Sequence, residues 1–137
     1  MRTLHPGLRV RDIAASLAFY EAIGYEVVGT VPGTALGDLT LIKLPGDEFA
    51  AIELVHDSHH KSVDVGTGLS HLAIQVESVE GVRAALLAAG FESGEVELPG
   101  GEAGPQTSWV TDPDGYRLEL TQWPTGHAAG LTAADFR

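Results

Sequence analysis

The stretch that decides the fold is Asp112-Pro113-Asp114-Gly115-Tyr116-Arg117-Leu118-Glu119-Leu120. Its first four residues predict a tight reversal, because proline presets its own φ and glycine accepts a positive φ. The following residues alternate between apolar and polar side chains, which is the period of a half-buried strand. The buried face would carry Tyr116, Leu118 and Leu120, and the other face Arg117, Glu119 and Thr121. Taken alone, Glu119 is best interpreted as a solvated charge on the exposed face.

The same pattern occurs earlier in the chain, at an offset of 66 residues. That offset aligns His5 with His71, Glu53 with Glu119, and the predicted helix cap Asp12 with Ser78. The separation from histidine to glutamate is 48 residues in both copies. A repeat of this length predicts a supersecondary unit that occurs twice, rather than a solenoid.

Each copy reads as a β-α-β-β-β module. In the first copy we predict strands at residues 3–10, 25–30, 39–44 and 50–56, with a helix from Ile13 to Ile23 and a turn at Pro32 and Gly33. In the second we predict strands at residues 69–76, within 91–98, at 107–111 and at 116–122, with a helix from Val79 to Gly90. The buried stripe of the first helix would carry Ile13, Leu17 and Tyr20, and the second helix would run through Val79, Val82, Leu86 and Leu87.

The fold class that these elements predict is α+β. Two pseudo-symmetric βαβββ modules, residues 1–66 and 67–123, would form a cupped mixed sheet with the helices outside. Together they make one domain over residues 1–137, and the tail at 124–137 shows no clear period. The tail would be loosely ordered or packed on a partner.

Composition and charge exclude several classes of function. The net charge of −11 argues against nucleic acid and anionic membranes, since both require a basic surface. The chain has no cysteine, which excludes a disulfide framework and thiolate chemistry, and which fits a reducing, cytoplasmic setting. We expect no membrane span and no N-terminal leader, because no long apolar run occurs. Small molecules, metal ions and other proteins remain as partners.

Four residues carry the predicted chemistry, namely His5, Glu53, His71 and Glu119. Each lies on the strand face that lacks the large aliphatic side chains. Two imidazoles and two carboxylates form a suitable ligand set for Ni²⁺, Co²⁺ or Zn²⁺. Two carboxylates that converge in a concave site repel each other, and a dication removes that cost. The set therefore predicts a divalent metal site, although each residue alone would not.

The chain resembles the vicinal-oxygen-chelate superfamily, and within it glyoxalase I (lactoylglutathione lyase) of the short bacterial type. The motifs that carry the resemblance extend over nearly the whole chain. They are Leu4-His5-Pro6-Gly7-Leu8-Arg9-Val10, Ala51-Ile52-Glu53-Leu54, Ser70-His71-Leu72-Ala73-Ile74 and the opening stretch. The resemblance implies the glyoxalase/bleomycin-resistance/dioxygenase fold and one divalent metal per site, with Ni²⁺ or Co²⁺ favoured and Zn²⁺ possible. It also implies a homodimer in which His5 and Glu53 of one subunit complete a site with His71 and Glu119 of the other.

The implied reaction is the conversion of a hemithioacetal, formed from methylglyoxal and a low-molecular-weight thiol, into a 2-hydroxyacyl thioester. The C–H bond of the hemithioacetal is acidic only if the resulting enediolate is stabilised, which a chelating dication does. Glu119 or Glu53 would move the proton from C1 to C2. The resemblance favours Glu119 as the base, whereas the sequence alone does not separate the two.

Substrate contacts are expected from Arg9, Asp57 and Arg117. Arg9 matches a family position that meets the γ-glutamyl end of glutathione, and Arg117 would form part of a pocket wall. Asp57 stands where glutathione-using members resemble one another in having asparagine, and an acid there would repel a carboxylate. The loop at residues 99–105 contains Glu102 and no basic residue. The thiol substrate is therefore either glutathione or another low-molecular-weight thiol.

Two other functions remain open at this point. The first is another metal-dependent member of the superfamily, an epimerase or a dioxygenase. The second is a metal-free antibiotic-binding protein, which the complete four-ligand set argues against. His56, His59 and His60 suggest a second metal cluster, but they lack a regular spacing, and a solvated loop is the better interpretation.

Overall fold

The computed structural model describes residues 1–137. It separates into two compact units, the first comprising Met1–Leu69 with Asp112–Gly115 and the second Ser70–Thr111 with Tyr116–Arg137. The two helices and two mixed sheets confirm the predicted α+β class. None of the helices combines the length and the apolar character that a membrane span requires.

The first unit contains one helix and a four-stranded sheet. Its elements are β1 (Gly7–Val10), α1 (Ile13–Ile23), β2 (Glu26–Thr34), β3 (Gly37–Lys43) and β4 (Ile52–His56). The strand order is β1-β4-β3-β2, with β1 parallel to β4 and the other pairs antiparallel. Strand β1 starts directly after Pro6 and lies at the sheet edge, as the missing N–H of proline predicts.

The second unit contains one helix and a three-stranded sheet. Its elements are β5 (Leu72–Gln75), α2 (Val79–Ala88), β6 (Gln106–Thr111), β7 (Arg117–Gln122) and a 3₁₀ turn at Ala133–Phe136. The strand order is β5-β7-β6, again with the first pair parallel and the second antiparallel.

The repeat is visible in the register of the parallel pairs. In the first unit Gly7 lies opposite Glu53, and in the second Ala73 lies opposite Glu119. Both pairs obey the offset of 66 read from the sequence. The alternation on β7 is also confirmed, since Tyr116, Leu118 and Leu120 are all buried. The two glutamates therefore occupy equivalent places in two equivalent strand pairs.

Both N-caps and the end of α1 were predicted correctly, whereas α2 ends at Ala88 rather than at Gly90 and the buried faces were predicted only in part. Asp12 and Ser78 each accept a backbone N–H as N-caps, and Gly24 ends α1 with φ 120°. The residues of α1 that are buried are Ser16, Phe19, Tyr20 and Ile23. Ile13 and Leu17 are only half-buried, and in α2 Leu87 is exposed. Because Ser16 is polar, hydrophobic periodicity does not assign it to the buried face of α1.

Two local predictions were wrong. Pro32 and Gly33 do not form the β2–β3 turn, which lies three residues further on at Ala35 and Leu36. They sit instead at a shift in register within β2, an edge strand that tolerates proline. The strand predicted within residues 91–98 is reduced to a single bridge between Glu97 and Thr107.

The opening turn, Asp112–Gly115, belongs to the first unit and packs on α1. The Asp112 carboxylate is buried and accepts hydrogen bonds from the Tyr20 hydroxyl (3.0 Å) and the Asp114 N–H (2.9 Å). The Asp114 carboxylate accepts from the Ser16 hydroxyl (3.3 Å) and the Arg11 N–H (3.1 Å). Gly115 takes φ 102°, as the turn chemistry predicts.

Candidate metal centre

The first predicted pair comes together in the first unit. Glu53 lies on β4 between the buried Ile52 and Leu54, so its side chain points to the opposite face of the sheet. The backbone N–H of Glu53 donates a hydrogen bond to the carbonyl of Pro6 (3.0 Å), so β4 is hydrogen-bonded to the residue that follows His5. His5 Nε2 lies 3.4 Å from Glu53 Oε2, and both side chains are about one-fifth exposed (22% and 18%).

The second predicted pair comes together in the second unit. His71 Nε2 lies 3.6 Å from Glu119 Oε2, with side-chain exposures of 36% and 25%. Glu119 follows the same alternation on β7 that Glu53 follows on β4. The solvated interpretation of Glu119, the better one for the residue alone, does not fit this partly enclosed pair.

Each pair fits two ligands of one dication. Histidine nitrogen and carboxylate oxygen bind such ions at about 2.1 Å, so two tetrahedral ligands lie about 3.4 Å apart. The observed separations of 3.4 and 3.6 Å match that spacing, and both pairs are accessible to solvent. In neither unit do three or more His, Asp or Glu side chains gather as a possible metal site. Each unit therefore supplies two of the four predicted ligands.

The second pair has aromatic and polar neighbours that the sequence reasoning missed. Ser70 Oγ lies 3.0 Å from His71 Nδ1. The Trp109 ring stands perpendicular to the His71 imidazole, with a centroid distance of 5.1 Å. The guanidinium carbon of Arg117 lies over the Trp109 ring, 4.5 Å from its centroid. The predicted pocket residue Arg117 is thus joined to the His71–Glu119 pair through Trp109.

The repeat distinguishes Ser70 from its counterpart but does not find Trp109. Ser70 aligns with Leu4 at the offset of 66, so only the second histidine is preceded by a hydroxyl. Trp109 lies opposite Glu119 on β6, the position that Leu41 occupies opposite Glu53 on β3. An offset of 66 would instead align Trp109 with Lys43. Because the spacing between strands differs by two residues here, alignment of the repeat alone does not find Trp109.

Asp57 and its neighbouring histidines form a local turn after β4. The Asp57 carboxylate accepts from the His59 N–H (2.9 Å), and its other oxygen lies 2.9 Å from His60 Nδ1. These contacts, the backbone hydrogen bond above all, lower the pKa of Asp57 from its ordinary value. The carboxylate predicted to meet substrate is thus engaged with its own loop. Arg9, the other predicted contact, is half-buried on β1 opposite Val55.

Comparison with known proteins finds similarity over most of the chain. A family model described as the Glyoxalase/Bleomycin resistance protein/Dioxygenase superfamily matches residues 2–120. The probable lactoylglutathione lyase of Vibrio parahaemolyticus is 35% identical over 88% of this chain and 90% of its own length. The lactoylglutathione lyase of Salmonella typhimurium is 33% identical over 89% and 93%.

Solved structures give the same picture at lower identity. The trypanothione-dependent glyoxalase I of Leishmania major superposes with a TM-score of 0.71 and 26% identity. The match covers 89% of this chain and 86% of that one. Likeness of sequence and of structure therefore extends over almost the whole chain.

Proposed function

The chain belongs to the Glyoxalase/Bleomycin resistance protein/Dioxygenase superfamily, and we propose that within it the chain is a metal-dependent lyase of the glyoxalase I type. The substrate would be the hemithioacetal of methylglyoxal and a low-molecular-weight thiol, and the product a 2-hydroxyacyl thioester. Relatives named lactoylglutathione lyase align with this chain over nearly its full length and nearly their own. The chain is an enzyme of that type. The role would be the detoxification of methylglyoxal.

One observation carries the proposal, namely a His–Glu pair at the same register position in both units. The pairs are His5 with Glu53 (3.4 Å) and His71 with Glu119 (3.6 Å). One such pair is a common surface contact. Two pairs related by the internal repeat, each with the spacing of metal ligands, support a shared four-ligand shell.

The four residues would hold one divalent ion, with Ni²⁺ or Co²⁺ favoured and Zn²⁺ possible. When bound, the ion supplies Lewis acidity toward two neighbouring substrate oxygens. Because each unit provides two ligands, we place the complete shell between the first unit of one subunit and the second unit of its partner. A homodimer and a cytoplasmic location are part of this proposal.

Proton transfer is assigned to the carboxylates. Glu119 takes the proton from C1 and returns it at C2, so the substrate gains and loses no atom overall. His71 Nε2 lies 3.6 Å from that carboxylate. Glu53 has the equivalent place in the other unit and is the alternative base.

The thiol partner is assigned more broadly, as glutathione or another low-molecular-weight thiol. Arg9 and Arg117 are the cations that we assign to anionic substrate groups, with Asp57 at the edge of the site. The loop at residues 99–105 offers Glu102 and no cation, and the net charge is −11. An acidic surface slows the approach of an anionic tripeptide, which supports testing thiols that carry less negative charge.

The test is an assay with defined metal and defined thiol. The protein is stripped with a chelator, reloaded with Ni²⁺, Co²⁺ or Zn²⁺, and mixed with methylglyoxal and each thiol in turn. Thioester formation should be absent from stripped protein and restored by at least one ion. Metal-bound protein that turns over no thiol adduct would overturn the proposal, and iron-dependent oxygen consumption would identify a dioxygenase instead.

A further inference from the structure

The two His–Glu pairs differ in what surrounds the histidine. We propose that Ser70 and Trp109 are positioning residues that hold the His71 imidazole with Nε2 toward Glu119. The imidazole of the second pair is then oriented before metal binds. This inference rests on the metal dependence proposed above.

The first step is the contact between Ser70 and His71. Ser70 Oγ lies 3.0 Å from Nδ1, while Nε2 lies 3.6 Å from the Glu119 carboxylate. A neutral imidazole that binds metal through Nε2 carries its proton on Nδ1, and a partner at Nδ1 selects that tautomer and the ring orientation. In this tautomer the Ser70 hydroxyl oxygen accepts a hydrogen bond from the Nδ1–H group. Leu4, which takes the same place before His5, has no polar atom in its side chain.

The second step is the contact between Trp109 and His71. Their rings are 85° apart with centroids at 5.1 Å, an edge-to-face arrangement that fixes the tilt of the imidazole. Arg117 lies over the indole at 4.5 Å and restrains it in turn. In the first unit the residue opposite the glutamate is Leu41, which has neither ring nor charge.

The third step concerns exposure. The His71 side chain is 36% exposed, against 22% for His5. Enclosure by the fold therefore restrains His71 less than His5, and its orientation depends more on individual side-chain contacts. Holding a ligand in its binding orientation before the metal arrives lowers the conformational entropy that binding must overcome. Ser70 and Trp109 thus act on metal affinity through His71, without touching the metal.

The test measures affinity for Ni²⁺ alone, by calorimetric titration of stripped protein without substrate. Ser70→Ala and Trp109→Leu should each weaken binding about 10-fold, the usual effect of removing a residue that orients a ligand. The conservative variants Ser70→Thr and Trp109→Phe keep the hydroxyl and the aromatic ring, and should retain most of the affinity. Matched controls at the equivalent places, Leu4→Ala and Leu41→Ala, should have smaller effects.

The outcomes separate this inference from the proposed function. Wild-type protein that binds none of Ni²⁺, Co²⁺ and Zn²⁺ overturns both. Wild-type protein that binds Ni²⁺ while Ser70→Ala and Trp109→Leu bind it equally well overturns only the positioning role. The same holds if the matched controls lose as much affinity as the two variants. Thermal unfolding by circular dichroism checks each variant, and Ser70→Ala keeps the test valid if Trp109→Leu does not fold.

Discussion

At the scale of single residues, Glu119 and Glu53 have equivalent backbone positions and different neighbours. Both lie opposite the strand that follows their histidine, at Ala73 and at Gly7. On the neighbouring antiparallel strand, however, Glu119 lies opposite Trp109 and Glu53 lies opposite Leu41. The repeat therefore duplicates the His–Glu pair without duplicating its surroundings, and in the proposed reaction only one of the two carboxylates needs to move the proton.

Replacing each glutamate by glutamine tests which carboxylate is the base. Glutamine keeps the size and one oxygen, but cannot accept a proton at neutral pH. We expect Glu119→Gln to lower kcat by about 100- to 10,000-fold, the contribution of a general base, while retaining part of the bound metal. The matched variant Glu53→Gln should lose less activity at equal metal content. A larger loss in Glu53→Gln would exchange the two roles.

The two His–Glu pairs could be predicted from the sequence, because they recur at one offset and because alternation sets the strand face of each glutamate. Ser70 and Trp109 could not be predicted in the same way. A serine that precedes a histidine in the chain is not specific to metal sites. The place of Trp109 depends on a two-residue difference in spacing between the repeats, which becomes visible only when the strand register is known. The proposed positioning residues are therefore found from side-chain contacts and register, whereas the proposed ligands follow from the sequence pattern.

At the scale of elements, the hairpin of β2 and β3 depends on one glycine. Gly37 has φ 120°, and a Cβ there would lie 2.5 Å from the carbonyl oxygen of His56. Gly37→Ala should therefore lower the free energy of unfolding by about 2–4 kcal/mol, through backbone strain and a clash with main chain. Gly29, on β2 of the same hairpin, has open space at its Cβ. Gly29→Ala should change stability by less than about 1 kcal/mol.

Urea unfolding of the two glycine variants checks the prediction, with the fluorescence of the native tryptophans as the signal. Equal midpoints for Gly37→Ala and Gly29→Ala would contradict it.

The hairpin also shows why the turn was assigned wrongly. Pro and Gly are typical turn residues, yet the reversal is made between Thr34 and Gly37, where the Thr34 hydroxyl accepts from the Leu36 N–H (3.1 Å).

The tail is an ordered element within the second unit, although its sequence shows no period. Trp123 stacks on His127 with ring centroids 4.3 Å apart, and His127 Nε2 lies 3.3 Å from Asp135 Oδ1. Asp135 also closes a capping box with Thr132 at the start of the 3₁₀ turn. The Gly130 N–H donates to the side chain of Gln75 on β5 (3.2 Å). Such contacts between single residues leave no periodic signal in the sequence.

Acid should release the tail. Hydrogen bonds from the N–H and the hydroxyl of Thr132, with a smaller effect of His127, lower the pKa of Asp135 from its ordinary value. A carboxyl whose folded-state pKa is depressed stabilises the fold above its unfolded pKa of about 4, and loses that contribution as pH falls further. In Trp109→Phe protein, which keeps only Trp123, emission should show a step below about pH 4.

Two controls accompany this pH titration. Adding Asp135→Asn to the same protein removes the carboxyl, so its emission should lack the acid step. Far-UV circular dichroism separates release of the tail from unfolding of the whole chain. An acid step that persists in the Asp135→Asn protein, or that coincides with global unfolding, would contradict the assignment to Asp135.

The segment at residues 91–98 shows why the second module departs from the predicted five elements. The Gly94 carbonyl accepts from Arg83 Nε (2.6 Å) and from the Ser108 hydroxyl (2.8 Å). A Cβ at Gly94 would lie 2.9 Å from the Trp109 carbonyl oxygen. Side chains thus satisfy a backbone group that a regular strand would pair, and the close approach requires glycine. Local composition predicted an extended segment, but the long-range contacts that interrupt it could not be predicted from the sequence.

At the scale of the whole molecule, the repeat was the most informative feature of the sequence. It predicted the α+β class, two equivalent modules and the equivalent His and Glu positions, because each follows from one alternating pattern that occurs twice. It did not predict that Asp112–Gly115 belongs to the first unit, which depends on side-chain contacts with α1. The sequence pattern predicts still less about the assembly of subunits, because periodicity describes a single chain.

A complementation experiment tests whether the four ligands come from two subunits. In the proposed dimer, each site joins His5 and Glu53 of one subunit to His71 and Glu119 of the partner subunit. Glu53→Ala and Glu119→Ala homodimers then have two defective sites each. A mixed dimer has one site with both defects and one intact site. Random reassociation makes half of the dimers mixed, so the mixture should regain about one quarter of wild-type activity and metal content.

The design also covers the alternative geometry. If each site took all four ligands from one chain, every site in the mixed dimer would carry one defect, and mixing would restore nothing. Each variant taken alone through the same unfolding and refolding is the control, and native mass spectrometry verifies that mixed dimers have formed. Mixed dimers without recovered metal binding would contradict the shared site, as would a wild-type protein that is monomeric when loaded with metal. Recovery of metal content is the decisive readout, because it tests the assembly of the ligands even if the substrate has been assigned wrongly.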